Sequence, residues 1–150
     1  MARFLFEVLA AGVGTTAFAL LFHVPQRYSL RCGIIGGAGW FVYLAGLPFV
    51  SAPVSIFLAT VAVVFLSRFS AVQLRCPVTL FLICGIFPLV PGLGVYRTAS
   101  ALVAGQMALA SKTGFSALQT SMVMVLAILL GLELPIGLFR RLANLIPSKK

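Results

Sequence analysis

Long apolar runs, each close to the length of one membrane-crossing helix, dominate this sequence of 150 residues. A helix needs about 20 mostly apolar residues to cross the hydrocarbon core of a bilayer. Only 9% of the residues are charged and 61% are hydrophobic, so too little polar surface exists for a water-exposed exterior. The composition therefore excludes a soluble globular enzyme and a disordered chain, and it indicates an all-α integral membrane protein.

The runs predict a single transmembrane domain over residues 1–150 with about five membrane elements. Their approximate limits are 4–24, 32–50, 54–74, 77–110 and 117–139. Residues 77–110 would extend about 50 Å if helical throughout, which is too long for one straight span. We therefore expect the fourth element to be a discontinuous helix, followed by a polar turn at Ser111–Gly114.

The segment Pro88-Leu-Val-Pro-Gly-Leu-Gly94 is the predicted break in that fourth element. Its two prolines remove backbone donors and its two glycines loosen the chain, so a regular helix ends there. Backbone groups freed at membrane depth must be buried in protein or line a water-filled cavity. We expect the second half-helix to begin near Arg97.

Broken helices of this kind form substrate sites in transporters, where half-helix N-termini point at anionic groups. The positive charge of Arg97 would add to that field, so a carboxylate or a phosphate is the natural ligand. The candidate pathway residues are Pro88, Pro91, Gly92, Gly94, Tyr96 and Arg97. The alternative is a plain interfacial turn in which Arg97 anchors to lipid headgroups.

The basic residues predict the orientation of the chain. Eleven Lys and Arg stand against two acidic residues, for a formal net charge of +9. Such an excess usually holds loops on the cytoplasmic side, and we predict no nucleic acid partner. Arg27, Arg31 and Arg75 place two connections inside, whereas the uncharged turn from Pro48 to Pro53 faces out. The N-terminus is then outside and the C-terminus inside.

Three segments, taken in order along the chain, carry a family resemblance. They are Leu21-Phe-His-Val-Pro-Gln-Arg27, the glycine-rich second run with Gly36 and Trp40, and Pro77 leading to Phe87-Pro-Leu-Val-Pro-Gly92 and Tyr96-Arg97. Together they resemble the small-subunit half of the threonine/serine exporter family. In that family the two halves occur fused or as separate subunits, and one separate pair is a bacterial succinate exporter. The resemblance implies a larger partner subunit and a place in the bacterial inner membrane.

Glu7 and Glu133 are the only acidic residues, and both lie within apolar runs. Intramembrane carboxylates often serve proton coupling, so both are candidates for that role. Glu133 is preferred because Pro135 weakens the helix beside it, and the alternative is an ion pair with Arg140 or Arg141. For Glu7 the alternative is solvation near the outer end of the first span.

Arg68 is expected to extend to the inner membrane surface, and the alternative is a role facing the substrate. The three cysteines have no CxxC pairing, which gives neither a disulfide framework nor a metal site. Ser–His–acid arrangements and phosphate loops are absent from the sequence, so we predict no cofactor, no metal and no enzymatic activity.

The leading hypothesis is a small membrane subunit that exports small carboxylate metabolites together with a larger subunit. The nearly acid-free composition favours a succinate-like dicarboxylate. Threonine or serine is the alternative cargo, because its carboxylate could use the same half-helix terminus. A second hypothesis is a non-transporting subunit that assembles or stabilises a partner, and a third is a self-sufficient homo-oligomeric channel.

Overall fold

The computed structural model describes residues 2–134, and every regular element among them is helical. The all-α prediction is confirmed. Residues 135–139 of the fifth predicted span lie outside the described residues, as do Arg140, Arg141, Lys149 and Lys150. The helices are α1 (Ala2–Leu21), α2 (Gln26–Gly46), α3 (Ala52–Leu74), α4 (Val78–Ile86), α5 (Gly92–Val103) and α6 (Met107–Glu133), with a 3₁₀ turn at Phe87–Leu89.

Within the described part of the chain, α1, α3 and α6 are each long and apolar enough to cross a membrane. The pair formed by α4 with its 3₁₀ turn and α5 passes the same test as one bent unit, which makes up to four spans. The remaining predicted element, residues 32–50, corresponds to α2, which has 21 residues but does not pass this test because it is less apolar. Because α2 packs against α1, α3 and α4, it needs less lipid-compatible surface. The orientation and the single-domain organisation stay predictions.

Small residues let α1 and α2 cross closely. A Cβ atom on Gly36 would overlap the side chain of Thr15, and one on Gly33 would overlap that of Thr16. In lipid, helices associate through packing of this kind rather than through the hydrophobic effect. The glycines of α2 therefore set the α1–α2 contact, on which the first half of the bundle depends.

The connection before the last helix lies earlier than the sequence predicts. The turn falls at residues 104–106, where Gly105 has φ 71°, a conformation that glycine adopts without steric cost. Ser111–Gly114, predicted as a turn, lies within α6. The hydroxyl of Thr113 donates to the carbonyl oxygen of Leu109 at 2.9 Å, so the helix itself satisfies this polar group.

Gly114 is a packing position rather than a turn position. A Cβ atom there would lie 3.1 Å from Cγ2 of Thr98 on α5. The hydroxyl of Thr98 donates to that of Thr113 at 3.0 Å, which links the same two helices. The first half of α6 is thus joined to α5 through small and hydroxyl-bearing residues.

The hairpin of α5 and α6 attaches to the rest of the bundle in a limited way. Among the described helices, α5 packs only against α6. The second half of α6 packs against α3, where a Cβ atom on Gly131 would lie 2.6 Å from Cγ1 of Val64. The described helices therefore form a bundle, α1–α4, and a hairpin, α5–α6. The chain connects the two through the break, and α6 packs against α3 of the bundle.

Candidate functional site

The helix break predicted at 88–94 is confirmed, and the interruption itself is narrow. The two half-helices differ in direction by 53°. Val90 and Pro91 alone stand outside regular helix, because Pro88 lies in the 3₁₀ turn and Gly92 already begins α5. Arg97 therefore lies in the second turn of α5, and the expectation that it begins this half-helix is wrong.

The 3₁₀ turn before the break packs on the α1–α4 bundle, whereas Val90 and Gly92 in the break are exposed. Leu89, the last residue of the 3₁₀ turn, is 4% exposed. A Cβ atom on Gly39, in the second half of α2, would lie 3.8 Å from Cδ1 of Leu89. The ring of Phe87 stacks on that of Phe18 in α1, with centroids 3.5 Å apart. Contacts from α1 and α2 thus fix the chain just before it changes direction.

A cavity of about 330 Å³ opens beside the break and brings two predicted site residues together. Glu7 of α1 and Pro88 both line it, and Trp40 of α2 forms another part of its wall. The remaining lining residues are Phe6, Ala10 and Ala11. A carboxylate and an indole therefore meet where the fourth element is interrupted. Polar groups converging in a mainly apolar cavity are typical of small-molecule sites.

Glu7 is held at this cavity by a local ion pair. Its Oε1 lies 3.1 Å from Nε of Arg3, one turn earlier on α1. The Arg3 side chain is 92% exposed and that of Glu7 is 34% exposed. An exposed pair on one helix contributes little to stability. The carboxylate can therefore change partners at small energetic cost.

Trp40 contributes an unused hydrogen-bond donor. Its Nε1 atom is buried and has no acceptor among the described residues. A buried donor without a partner carries a desolvation cost of about 1–3 kcal/mol. The neighbouring Tyr43 ring packs at a centroid distance of 5.1 Å and leaves this donor unsatisfied. The resemblance named Trp40, but the composition of α2 gave no reason to place it beside Glu7.

Tyr96 and Arg97 lie away from this cavity. Tyr96 is 70% exposed and lines a separate groove of about 450 Å³ on α5, together with Ser100 and Ala104. Arg97 is exposed on the same helix. The structure therefore divides the predicted pathway residues into a cavity group and an outer group on α5.

The two glycines after the break have different surroundings. A Cβ atom on Gly92 would meet nothing within 4 Å, so this position faces open space. A Cβ atom on Gly94 would lie 3.2 Å from Cβ of Ala117, so Gly94 lets α5 approach α6. In the first turn of α5, the backbone N–H of Gly92 donates to the carbonyl oxygen of Val90 at 2.7 Å, whereas helix geometry leaves the N–H groups of Leu93 and Gly94 without intrahelical partners.

Glu133, the preferred acid in the sequence prediction, lies far from the break. It is the last residue of α6 and is exposed. Its proposed partners, Arg140 and Arg141, lie outside the described residues. Glu7, near the start of α1, is the acid that the structure places beside Pro88. Across residues 2–134, no group of three or more His, Cys, Asp or Glu side chains could hold a metal ion.

Arg68 has a structural role that the sequence did not predict. It is 8% exposed rather than extended to the membrane surface. Its Nη1 donates to the carbonyl oxygens of Gly131 at 2.7 Å and Leu132 at 2.6 Å. The expectation that Arg68 reaches the inner surface is wrong, because the last turn of α6 offers carbonyl acceptors within the protein. The sequence signal for this buried role was the position of Arg68 within an apolar run.

The architecture is that of a multi-pass membrane protein with a broken helix inside its bundle, as in membrane transport components. A family model described as threonine/serine exporter, ThrE, matches residues 7–133. The chain therefore belongs to the threonine/serine exporter family. The matched region includes every described helix in whole or in part, and both acidic residues. Comparisons with curated proteins and with solved structures give no match.

Proposed function

We propose that this chain is the small component of a two-component exporter in the bacterial inner membrane. It acts with a larger membrane subunit and moves a small carboxylate-bearing metabolite out of the cytoplasm. The observation that carries this proposal is the cavity at the break, where Glu7, Trp40 and Pro88 meet. Membership of the threonine/serine exporter family supports the transport role.

In this proposal the break supplies the anion-binding element. The first turn of α5 begins at Gly92, and the N–H groups of Leu93 and Gly94, together with the helix dipole, favour a carboxylate. The open space around Gly92 lets a ligand approach the backbone closely. Trp40 lines the cavity, and its Nε1 donor, buried without an acceptor among residues 2–134, would supply a further hydrogen bond if the ring turned towards the ligand.

The negative charge of Glu7 affects which substrate the cavity would favour. The carboxylate of Glu7 would repel a second carboxylate but attract the ammonium group of an amino acid. This observation favours threonine or serine over the dicarboxylate that the composition suggests. A succinate-like dicarboxylate is the second candidate, and it is supported by the net charge of +9 and by the exposed Arg97 on α5.

Glu7 is also the proposed proton-coupling group. Its ion pair with Arg3 is exposed and contributes little to stability, so a substrate ammonium group could replace Arg3 at small energetic cost. Glu133 stays a candidate for the same role, because it is exposed at the end of α6. The two acids are distinguished by the matched variants below.

Efflux of labelled threonine, serine and succinate tests the proposal in cells that lack their own exporters. The chain is expressed alone and with a larger subunit of the same family. We expect efflux only when both chains are present. Efflux by this chain alone would favour the homo-oligomeric channel. No efflux, despite confirmed membrane insertion of both chains, would favour the assembly subunit.

Matched variants then test the cavity. We expect Glu7→Gln to lower efflux about tenfold, the factor for losing a charge-assisted hydrogen bond of about 1.5 kcal/mol. Glu133→Gln removes the same charge from an exposed site outside the cavity and is expected to keep efflux. Unchanged efflux in Glu7→Gln, at equal protein levels, would exclude Glu7 from substrate binding and coupling, and loss of efflux in Glu133→Gln alone would assign the coupling role to Glu133.

A further inference from the structure

Two arginines of α2 lie beside the connection between α3 and α4. Arg31 donates from Nη1 to Oε1 of Gln73, near the end of α3, at 2.6 Å. The guanidinium carbon of Arg27, one turn earlier, lies 4.5 Å from the ring centroid of Tyr28. The half-buried Cys76 stands in the connection itself, and the charges of both arginines act on its thiol. We refer to Arg27, Arg31, Gln73 and Cys76 as the arginine cluster.

The first turns of α2 and α4 meet at this cluster. The ring of Tyr28 packs edge-on against that of Phe81, with centroids 6.0 Å apart. Farther along both helices, a Cβ atom on Gly85 would lie 2.7 Å from Cγ2 of Ile35. The two contacts show that α2 and α4 run side by side in the same direction. The positive ends of both helix dipoles therefore lie at the arginine cluster.

This placement of positive charge is unfavourable without a nearby anion. Arg27 and Arg31 lie one turn apart on one helix, and like charges at this spacing repel each other. Cations are favoured at the C-terminus of a helix rather than at its N-terminus. Neither α2 nor α4 has an acidic residue in its first turn or a side-chain cap at its start. An anion would relieve the repulsion and accept hydrogen bonds from the first N–H groups of α4.

The acidic side chains of the protein do not neutralise the cluster. Glu7 is already in an ion pair and lines the cavity at the break, beyond the other end of α4. Glu133 ends α6, beside the carbonyl groups that Arg68 binds. Within residues 2–134, no ion pair includes Arg27 or Arg31. The sequence contains no other acidic side chain, which favours a bound anion as the source of the missing charge.

The cluster lies at the level expected for lipid headgroups. Arg27 is exposed near the start of α2, and Leu30, one turn later, is 68% exposed. On α4 the exposed Thr79 is followed one turn later by Ile83, which is 58% exposed. The exposed surface of both helices thus changes from polar to apolar within one turn, as it does at the edge of the hydrocarbon core. The phosphate of an anionic lipid would lie beside the arginines.

We propose that the arginine cluster binds an anionic phosphate group, held by the guanidinium groups of Arg27 and Arg31 and by the N–H groups of Val78 and Thr79. Arginine presents paired N–H donors that match phosphate oxygens. A lipid headgroup is the favoured source of this phosphate, and free phosphate is the other. The bound group would join the start of α2 to the connection between α3 and α4. The site is separate from the cavity at the break and independent of cargo and of the larger subunit.

Labelling of Cys76 tests this site in the purified full chain. The protein in neutral detergent reacts with a neutral maleimide, alone or with phosphatidylglycerol, phosphatidylcholine, or inorganic phosphate at constant ionic strength. Mass spectrometry of the labelled peptide gives the rate for Cys76. We expect phosphatidylglycerol to slow the reaction, because a bound phosphate covers the thiol and neutralises the two charges that favour the reactive thiolate. The same amount of phosphatidylcholine should slow it less.

Three variants with the same change of charge locate the site. The ratio of rates with and without lipid is compared within each variant, since loss of a nearby charge alters the rate by itself. Arg27→Gln and Arg31→Gln should each raise the phosphatidylglycerol concentration for half-protection about fivefold, the factor for about 1 kcal/mol per basic side chain at an anionic surface. Arg75→Gln removes an exposed charge from the same connection, outside the cluster, and should leave that concentration unchanged. All three should elute as the parent protein does on size exclusion.

The arms of the experiment separate the two sources of phosphate. Protection by phosphatidylglycerol alone identifies a lipid headgroup, and equal protection by inorganic phosphate identifies free phosphate; both results support the site. Protection that persists when Arg27 and Arg31 are both replaced by Gln would overturn the proposal, because it would reflect only the charge of the lipid surface. An equal loss of protection in Arg75→Gln, or no protection by either source, would overturn it as well.

Discussion

Arg68 of α3 donates a hydrogen bond from its Nη1 atom to the main-chain carbonyl oxygen of Gly131 in α6, over 2.7 Å. The same nitrogen also donates to the carbonyl oxygen of Leu132 at 2.6 Å. The last carbonyl groups of a helix have no partner within that helix, and they carry the negative end of its dipole. A buried cation at this point fixes the end of α6 on α3.

Replacing Arg68 should loosen that end of the molecule. Arg68→Met keeps the length of the side chain but leaves the two carbonyl groups without their charged donor. We expect the free energy of unfolding to fall by about 2–4 kcal/mol. Thermal unfolding of the detergent-solubilised protein measures it. Lys112→Met removes an exposed charge from α6 and should leave the midpoint unchanged. Equal midpoints for both variants would contradict this role of Arg68.

Alanine substitutions at two glycines of the α1–α2 pair should change the stability of the protein in opposite directions. Gly36→Ala places a methyl group against the side chain of Thr15 and should cost about 1–3 kcal/mol of stability. Gly14→Ala places its methyl group in open space and should raise stability by up to about 1 kcal/mol through helix propensity. Chemical unfolding of both variants compares them. If Gly36→Ala were as stable as Gly14→Ala, the close crossing of α1 and α2 would be wrong.

The stability of the turn before α6 should depend on how readily the residue at position 105 adopts a left-handed backbone conformation. Gly105 has φ 71°, so Gly105→Ala should cost about 1–2 kcal/mol. Gly105→Asn should cost less, because asparagine tolerates this conformation. The comparison uses thermal midpoints of the two variants. A midpoint for Gly105→Ala at or above that of Gly105→Asn would contradict a turn at residues 104–106.

Cys76, in the connection between α3 and α4, should react slowly with maleimides at neutral pH. Burial raises the pKa of its thiol, and the positive charges of Arg27 and Arg31 only partly oppose this effect. The thiolate is the reactive form, so the labelling rate should increase as the pH rises towards and beyond 9. Arg27→Gln removes one opposing charge and should slow labelling further. Mass spectrometry of the labelled peptide follows the rate, and faster labelling of Arg27→Gln would contradict the assignment.

Local chemistry explains which parts of the fold could be predicted. The break at Pro88–Gly94 follows from residues within one short segment, because proline and glycine act on their own backbone. The helical class follows from run length and apolarity. The same reasoning failed at Ser111–Gly114, where hydroxyl and glycine residues look like a turn but serve helix packing against Thr98.

Long-range packing explains what sequence reasoning missed. Glu7, Trp40 and Pro88 come from three separate elements, and only the folded bundle brings them to one cavity. The burial of Arg68 likewise depends on the carbonyl groups of a helix that follows much later in the chain. The preference for Glu133 over Glu7 rested on a neighbouring proline, whereas the structure places Glu7 at the break.

The continuity of α6 has a mechanical consequence. It runs without interruption through 27 residues, about 40 Å of helix. One half packs on α5 and the other on α3, while α5 packs on no other described helix. A movement of α5 at the break would therefore displace the first half of α6, while Arg68 holds the last turn of α6 on α3 and α1–α4 keep their arrangement.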